Sequence, residues 1–154
     1  MTTDLNHLPG YIVGNAVIGD LFERAFDEPY GEAAVEDLTK SPATWSMVAV
    51  TERDGADMPV GFIIGMTAAD TSEIYSIGVP PEYRGRGYAK NMLQRAFATC
   101  RTAGAETMFL EVAADNGQAI GLYRRVGFEQ KGLRKNYYRR GRNRIDALVM
   151  GRNL

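Results

Sequence analysis

The sequence predicts one α+β domain, with a mixed central β-sheet of about six to seven strands flanked by about four helices. Three observations carry this. The chain has 154 residues, which suits a single domain with a real core. Its apolar periodicity changes along the chain: helical spacing first, then β-type runs over 45–79, then helix and strand patterns in turn up to residue 150. No repeat, low-complexity segment or linker divides it, so 1–154 is read as one unit.

Residues 14–27 read as a helix because Val17, Ile18, Leu21, Phe22, Ala25 and Phe26 share one face. A second helix runs over 31–39 and ends before Ser41-Pro42. Residues 45–51 form a strand, 52–59 a polar turn around Asp54-Gly55, and 60–68 the return strand, although Gly61 and Gly65 weaken it. Residues 74–79 add a third strand, stopped by Pro80-Pro81. Met92, Leu93, Ala96, Phe97 and Cys100 then form a helical stripe, closed by Ala103-Gly104-Ala105. Residues 107–112 form a strand. Asp115-Asn116 supply an N-cap, and Gln118, three residues after Asp115, fits a capping box. Ala119, Ile120, Leu122, Tyr123 and Val126 give a short helix, closed by Gly127. Residues 128–133 and 144–150 are the last two strands, and the order is ααβββαβαββ. His7 falls in a leader expected to be mobile.

Composition excludes several classes. Apolar content is ordinary for a globular protein, and the net charge of −1 gives no general attraction to nucleic acid or an acidic membrane. No apolar run approaches the ~20 residues of a membrane span. Residues 1–6 lack the basic start and apolar core of a signal peptide. One cysteine cannot form an internal disulfide, and the cytoplasm is the expected compartment. A single His and a single Cys give no metal-ligand spacing. Charge is uneven: residues 1–40 hold eight acidic and two basic side chains, while 134–144 hold Arg134, Lys135, Arg139, Arg140, Arg142 and Arg144. That basic stretch is a solvated hairpin or a surface that steers an anionic partner. Tyr137 and Tyr138 among the arginines would suit base stacking, but no nucleic-acid motif accompanies them.

The most informative stretch is Arg84-Gly85-Arg86-Gly87-Tyr88-Ala89-Lys90, between the third strand and the next helix. Glycines let the backbone turn tightly so that successive N–H groups converge on an anion. The helix beyond adds unpaired N–H groups and the positive end of its dipole. Arg84, Arg86 and Lys90 add charge, and the whole suits a pyrophosphate. A plain strand-to-helix turn is the competing reading. The Walker pattern is absent, and a dinucleotide fingerprint fails because Lys90 stands at its third glycine position.

Glu111 lies in the apolar strand Met108-Phe109-Leu110-Glu111-Val112, on the face of Phe109. A carboxylate there is costly unless paired or functional, and desolvation would adapt it to general-base work. An ion pair is the alternative. Tyr123 is twelve residues on and is either a core tyrosine or a proton donor. Asn116 caps its helix, binds a ligand amide, or does both. Cys100, on an apolar helix face, reads as a buried hydrophobe.

Together these residues resemble the GCN5-related N-acetyltransferases (GNAT). The stretch Ile77-Gly78-Val79-Pro80-Pro81-Glu82-Tyr83-Arg84-Gly85-Arg86-Gly87-Tyr88-Ala89 looks like that family's acetyl-CoA segment, Gln/Arg-x-x-Gly-x-Gly/Ala, with Arg84, Gly87 and Ala89 in the three fixed positions. The resemblance is strongest over 73–150 and is greatest to the RimI-type ribosomal-protein alanine N-acetyltransferases. It rests there on Leu110-Glu111-Val112, Asn116, Ala119 to Tyr123, Gly127-Phe128, Arg134 to Tyr138, Asp146-Ala147 and Met150. The resemblance implies acetyl transfer from acetyl-CoA to a primary amine, with no metal. Glu111 would be the base, directly or through water, and Tyr123 the acid toward the leaving thiolate. Gly85, Arg86, Gly87, Tyr88, Ala89 and Lys90, with Arg84, would hold the pyrophosphate. Asn116, Ile77, Gly78 and Val79 would meet the pantetheine arm, beside a strand bulge. Tyr137 and Tyr138 would line the acceptor groove. The implied acceptor is a protein N-terminal amine, a ribosomal protein being the specific expectation; a small amine, or a non-catalytic CoA-binding module, is the alternative. Ile145-Asp146-Ala147 departs from the subfamily's Glu-Asp-Ala, and Pro29-Tyr30-Gly31 from its Pro-Trp-Ser-like turn. Both departures lie where the acceptor is expected, and the oligomeric state stays open.

Overall fold

The structure is a computed structural model that describes residues 5–26 and 31–154. Residue 27 and the Pro29-Tyr30 pair lie outside the described residues. Seven strands form one sheet in the order β1-β2-β3-β4-β5-β7-β6. They are β1 (Asn6–Pro9), β2 (Thr44–Arg53), β3 (Ala56–Ala68), β4 (Thr71–Gly78), β5 (Thr107–Ala113), β6 (Glu129–Arg140) and β7 (Asn143–Asn153). All neighbours pair antiparallel except β4 and β5, which are parallel. The helices are the single turn α1 (Gly10–Val13), then α2 (Asn15–Ala25), α3 (Gly31–Thr39), α4 (Tyr88–Thr102) and α5 (Gly117–Arg125). The mixed sheet and flanking helices agree with the expected α+β architecture.

Alternation along the strands sends side chains to two cores. Val48, Val50, Phe62 and Ile64 pack with Ile18, Leu21 and Val35 of α2 and α3. Met47, Ala49, Ile63, Met108 and Leu110 pack on the other face with α4 and with Ile120 and Tyr123 of α5. Met92 and Leu93 of α4 are fully buried. Burying each such side chain stabilises by ~1.5–3 kcal/mol, which fixes the start of α4 against the sheet. Among the described residues, no helix is long and apolar enough to cross a membrane.

Several expectations need correction. His7 is not in a mobile leader: it sits in β1 opposite Ala49. The polar turn over 52–59 shrinks to Asp54-Gly55, because Glu52 and Arg53 still pair with Asp57 and Ala56. Asp54 and Gly55 take φ of 53° and 79°, the left-handed turn that matches hairpin twist. The last two strands likewise extend through the arginine-rich segment to Arg140 and Asn143. The capping box is absent: Asn116 is the N-cap of α5, its side chain accepting from the Ala119 N–H at 3.2 Å. Asp115 instead pairs with Arg140 at 3.1 Å.

One feature of the sheet positions the site. Between β4 and β5 the ladder covers only Thr71↔Thr107 through Ile74↔Leu110, although β4 continues to Gly78 and β5 to Ala113. A bulge accompanies the parting: Ile64 of β3 pairs with Ser76, yet Gly65 pairs with Ile74, so Tyr75 is the extra residue. Beyond Leu110 the two parallel strands splay. Residues 76–78 pair with β3 on one side only, and their other backbone edge faces the gap.

Candidate active site

A cavity of about 410 Å³ lies at the open end of β4, between the loop that leads into α4 and α5. Ile77, Gly78 and Val79 line it from the end of β4, and Arg84, Gly85 and Gly87 from the loop. Tyr88, Ala89 and Lys90 line it from the first turn of α4, and Asn116 and Tyr123 from α5 and its cap. The cavity thus gathers most of the residues singled out from sequence for the cofactor. Arg86 is not among its walls and is exposed. Glu111, Tyr137 and Tyr138 do not line the cavity either. Among the described residues no group of three or more His, Cys, Asp or Glu side chains gathers as a metal centre would require.

The loop has the backbone that an anion cradle needs. Gly85 and Gly87 take φ of 77° and 80°, in the left-handed region that favours glycine. Gly87 is the N-cap of α4, and the first intrahelical bond runs from the Asn91 N–H to the Gly87 carbonyl at 3.0 Å. The N–H groups of Tyr88, Ala89 and Lys90 precede that bond and point out of the helix end toward the splay. A phosphate there meets these donors and the positive end of the helix dipole.

Arg84 has a further task. Its Nε donates to the Val79 carbonyl at 2.8 Å, and a terminal nitrogen donates to the Ala25 carbonyl at 2.9 Å. The guanidinium therefore ties the glycine turn to the end of β4 and to the last turn of α2. Its charge stays at the loop while its donors brace the frame, which the sequence reading did not foresee.

Tyr123 is buried, and burial first, then the neighbouring Tyr138, pushes its phenol up to about 12. Its ring packs edge-on against Phe128 at 5.9 Å. The phenol therefore stays protonated at any physiological pH. Asn116 spends Oδ1 on the Ala119 N–H, which leaves its amide N–H₂ available at the cavity wall.

Glu111 stands one residue past the last β4–β5 pair, at the mouth of the splay. Its side chain is 17 % exposed, and its Oε1 lies 2.9 Å from Nε of Arg134 on β6. The ion pair weighed from sequence is therefore present. Glu73, on β4, was missed. Burial first, then the Glu111 charge, pushes its carboxyl above the usual range, and Arg134 opposes them. A residue within a strand beside apolar Ile74 was the available signal.

Tyr138 connects the parts. Burial first, then Glu111 and Tyr137, raises its phenol, while Arg140 opposes. Tyr138 also acts on Tyr123, so it lies near both catalytic candidates. Tyr137 and Tyr138 meet edge-on at 5.1 Å, and Arg134 stacks 5.3 Å over the Tyr137 ring. A bulge in β6 between Arg134 and Tyr138 allows this. The Asp146 carboxylate holds the bulge by accepting the Asn136 N–H at 2.8 Å, and Asn136 takes a φ of 54°.

A parallel pair that splays at a bulge, facing a glycine turn at a helix N-terminus, is the architecture expected of an acyl-CoA-dependent N-acetyltransferase. Residues 15–128 match the model of the acetyltransferase (GNAT) family, and the chain belongs to that family. It is 36% identical over 117 residues to the N-alpha-acetyltransferase RimI of Mycobacterium tuberculosis, covering 73% of this chain and 70% of that one. It is 33% identical over 94 residues to the ribosomal protein bS18 alanine N-acetyltransferase of Salmonella typhimurium, covering 61% of this chain. That match spans 64% of the Salmonella protein, just under two thirds of its length. The fold matches the crystal structure of the ribosomal-protein-S18-alanine N-acetyltransferase of Escherichia coli with a TM-score of 0.85 and 23% identity, over 97% of this chain and 93% of that one. It also matches the spermidine/spermine N-acetyltransferase SpeG of Vibrio cholerae, with a TM-score of 0.76, 21% identity and 97% and 92% coverage.

Proposed function

We propose that this chain transfers the acetyl group of acetyl-CoA to the N-terminal α-amine of a protein, with a ribosomal protein N-terminus as the specific candidate. The observation that carries the transfer is the cavity, where the end of β4, the glycine turn and Tyr123 converge, with Glu111 one residue past the last β4–β5 pair. A relative named as a ribosomal protein bS18 alanine N-acetyltransferase, at 33% identity, and one named as an N-alpha-acetyltransferase, at 36%, support the choice of acceptor.

Coenzyme A fits these residues by chemistry. Lys90 and the N–H groups at the head of α4 would hold its pyrophosphate, and Arg84 keeps them in register. The open edge of residues 76–78 would take the amide groups of the pantetheine arm as a missing strand, with the Asn116 amide at its side. The bound thioester supplies the acyl group; this chain orients it and manages the protons.

An α-amine with a pKa of about 8 is mostly protonated at neutral pH, so the site must remove one proton before attack. Glu111 takes it, directly or through a water. Arg134 keeps the carboxylate oriented meanwhile. A backbone N–H near Val79 stabilises the oxyanion. Tyr123 donates a hydrogen bond to the departing thiolate, and the second proton that the amine nitrogen loses as the amide forms passes through water to the sulfur. With a phenol near 12 and an ordinary thiol near 8.5, full proton transfer is uphill by about 5 kcal/mol, so donation without transfer is the better reading.

A lysine acceptor, near 10.4, costs roughly 3 kcal/mol more to neutralise than an α-amine. The experiment is a thiol-release assay with acetyl-CoA over alanine-starting peptides, lysine-containing peptides with blocked N-termini, and spermidine. Release with the free N-terminal peptides alone supports the proposal. Release with spermidine alone moves the acceptor to small amines. Calorimetric binding of acetyl-CoA without release from any amine leaves a binding module.

A further inference from the structure

A second and larger cavity, about 890 Å³, lies at the β1 edge of the sheet, beside the C-terminal half of α4. It shares no lining residue with the cavity at the end of β4. His7 of β1, Trp45 and Ser46 of β2, and Arg95 and Thr99 of α4 form much of its wall. The volume falls in the ~300–1,000 Å³ range of small-molecule sites.

Its chemistry is one-sided. Trp45 Nε1 and His7 Nε2 are buried and, among the described residues, have no hydrogen-bond partner. Buried polar atoms are rarely left so, because an unmet indole N–H costs the hydration it has lost. Arg95 forms no salt bridge among the described residues. Among the described residues no Asp or Glu lines the cavity. Burial and, second, the Arg95 charge keep His7 in its neutral form, so Arg95 lies near enough to act on it. Arg95, Trp45 and Ser46 therefore line a space that, among the described residues, has no carboxylate in its wall. The Trp45 ring, Met47 and Pro9 supply apolar wall.

We propose that this cavity binds a small organic carboxylate with an apolar body, its oxygens paired with Arg95 and its body against the wall that Trp45, Met47 and Pro9 form. The same charge distribution rejects amines, so this is not a second acceptor subsite. The apolar walls and the volume distinguish it from a site for a bare inorganic anion.

Trp45 is the only tryptophan of the chain and His7 its only histidine, so each gives one spectroscopic signal. The full chain is titrated with benzoate, with benzamide as the uncharged isostere, with benzylamine as the cation and with inorganic phosphate. Tryptophan fluorescence and the His7 ring proton resonance are followed. The proposal expects a saturable change in both signals with benzoate and binding of benzamide weaker by roughly tenfold or more. Benzylamine and phosphate are expected to leave both signals unchanged. Arg95→Gln and Thr99→Glu, both at exposed helix positions, are expected to remove the benzoate response without changing the circular dichroism. The absence of a saturable response to benzoate overturns the proposal. So does equal binding of benzamide, an unchanged response in Arg95→Gln, or phosphate matching benzoate.

Discussion

Nε of Arg134 lies 2.9 Å from Oε1 of Glu111, so a strand at the rim of the sheet supplies the partner of a carboxylate at its centre. Glu111→Gln removes the proposed base and keeps the shape of the site. We expect kcat/KM at pH 7 to fall by ~10²-fold or more, the usual contribution of a general base. The Kd for acetyl-CoA should stay within about twofold, since Glu111 does not line the cavity. Steady-state kinetics and calorimetry decide it, and near-normal turnover removes Glu111 from the role.

Glu73 carries a carboxyl raised by burial and by Glu111. A raised carboxyl contributes stability that is fully present below the unfolded value of about 4.3 and is lost as pH rises through the folded value. Glu73→Gln should therefore raise the melting temperature at pH 7, and the gain should vanish near pH 4. A gain that persists unchanged at pH 4 would mean that the effect is not ionisation.

Tyr123 remains protonated up to about 12. Tyr123→Phe should slow the single-turnover acetyl transfer by about tenfold to a hundredfold, with little change in acetyl-CoA affinity. In the native chain, no fall in kcat between pH 8 and 10 should trace to Tyr123. An alkaline limb in that range that disappears in Tyr123→Phe would mean that burial does not hold the phenol up, and an unchanged single-turnover rate in Tyr123→Phe contradicts the donor assignment.

Arg84 and Gly87 hold the turn in different ways. Arg84→Met loses bonds to the Val79 and Ala25 carbonyls, and should cost roughly 1–3 kcal/mol of stability while raising KM for acetyl-CoA. Gly87→Ala meets no atom within 4 Å, so its cost is the left-handed backbone alone, ~1–2 kcal/mol. Urea denaturation measures both. A Gly87→Ala variant with native stability and native KM would show that the turn tolerates another conformation.

His7 is held neutral by burial, with Arg95 second. Below the unfolded value of about 6.5 the unfolded chain takes up a proton that the fold refuses, so stability declines as pH falls from there toward the lowered folded value. His7→Gln should flatten that part of the pH–stability curve. Arg95→Gln should move the His7 titration upward, as read from its one ring proton signal.

Much of this was legible in the sequence where neighbours in the chain are neighbours in space. The stripe from Met92 to Cys100 and the alternation over 107–112 set α4 and β5 to within a residue or two. The cofactor-facing loop is contiguous, so its glycines and cations declare themselves together. The partnership of Glu73, Glu111 and Arg134 is different in kind. It depends on the register of parallel strands and on a bulge in β6, neither of which local propensity specifies. β1 escaped notice because Asn6–Pro9 is a short edge segment, stabilised by pairing with β2 and not by a pattern of its own. Asp115 and Asn116 are both good caps, and only the partnership with Arg140 separates them.

The strand dense in arginine, β6, is the outermost of the sheet. Its unpaired rim would otherwise be a template for a strand of another molecule, and a row of like charges opposes such stacking. The same cations that reach inward to Glu111 and Asp115 thus also oppose edge-to-edge pairing of two copies along β6, an opposition that weakens as added salt screens them.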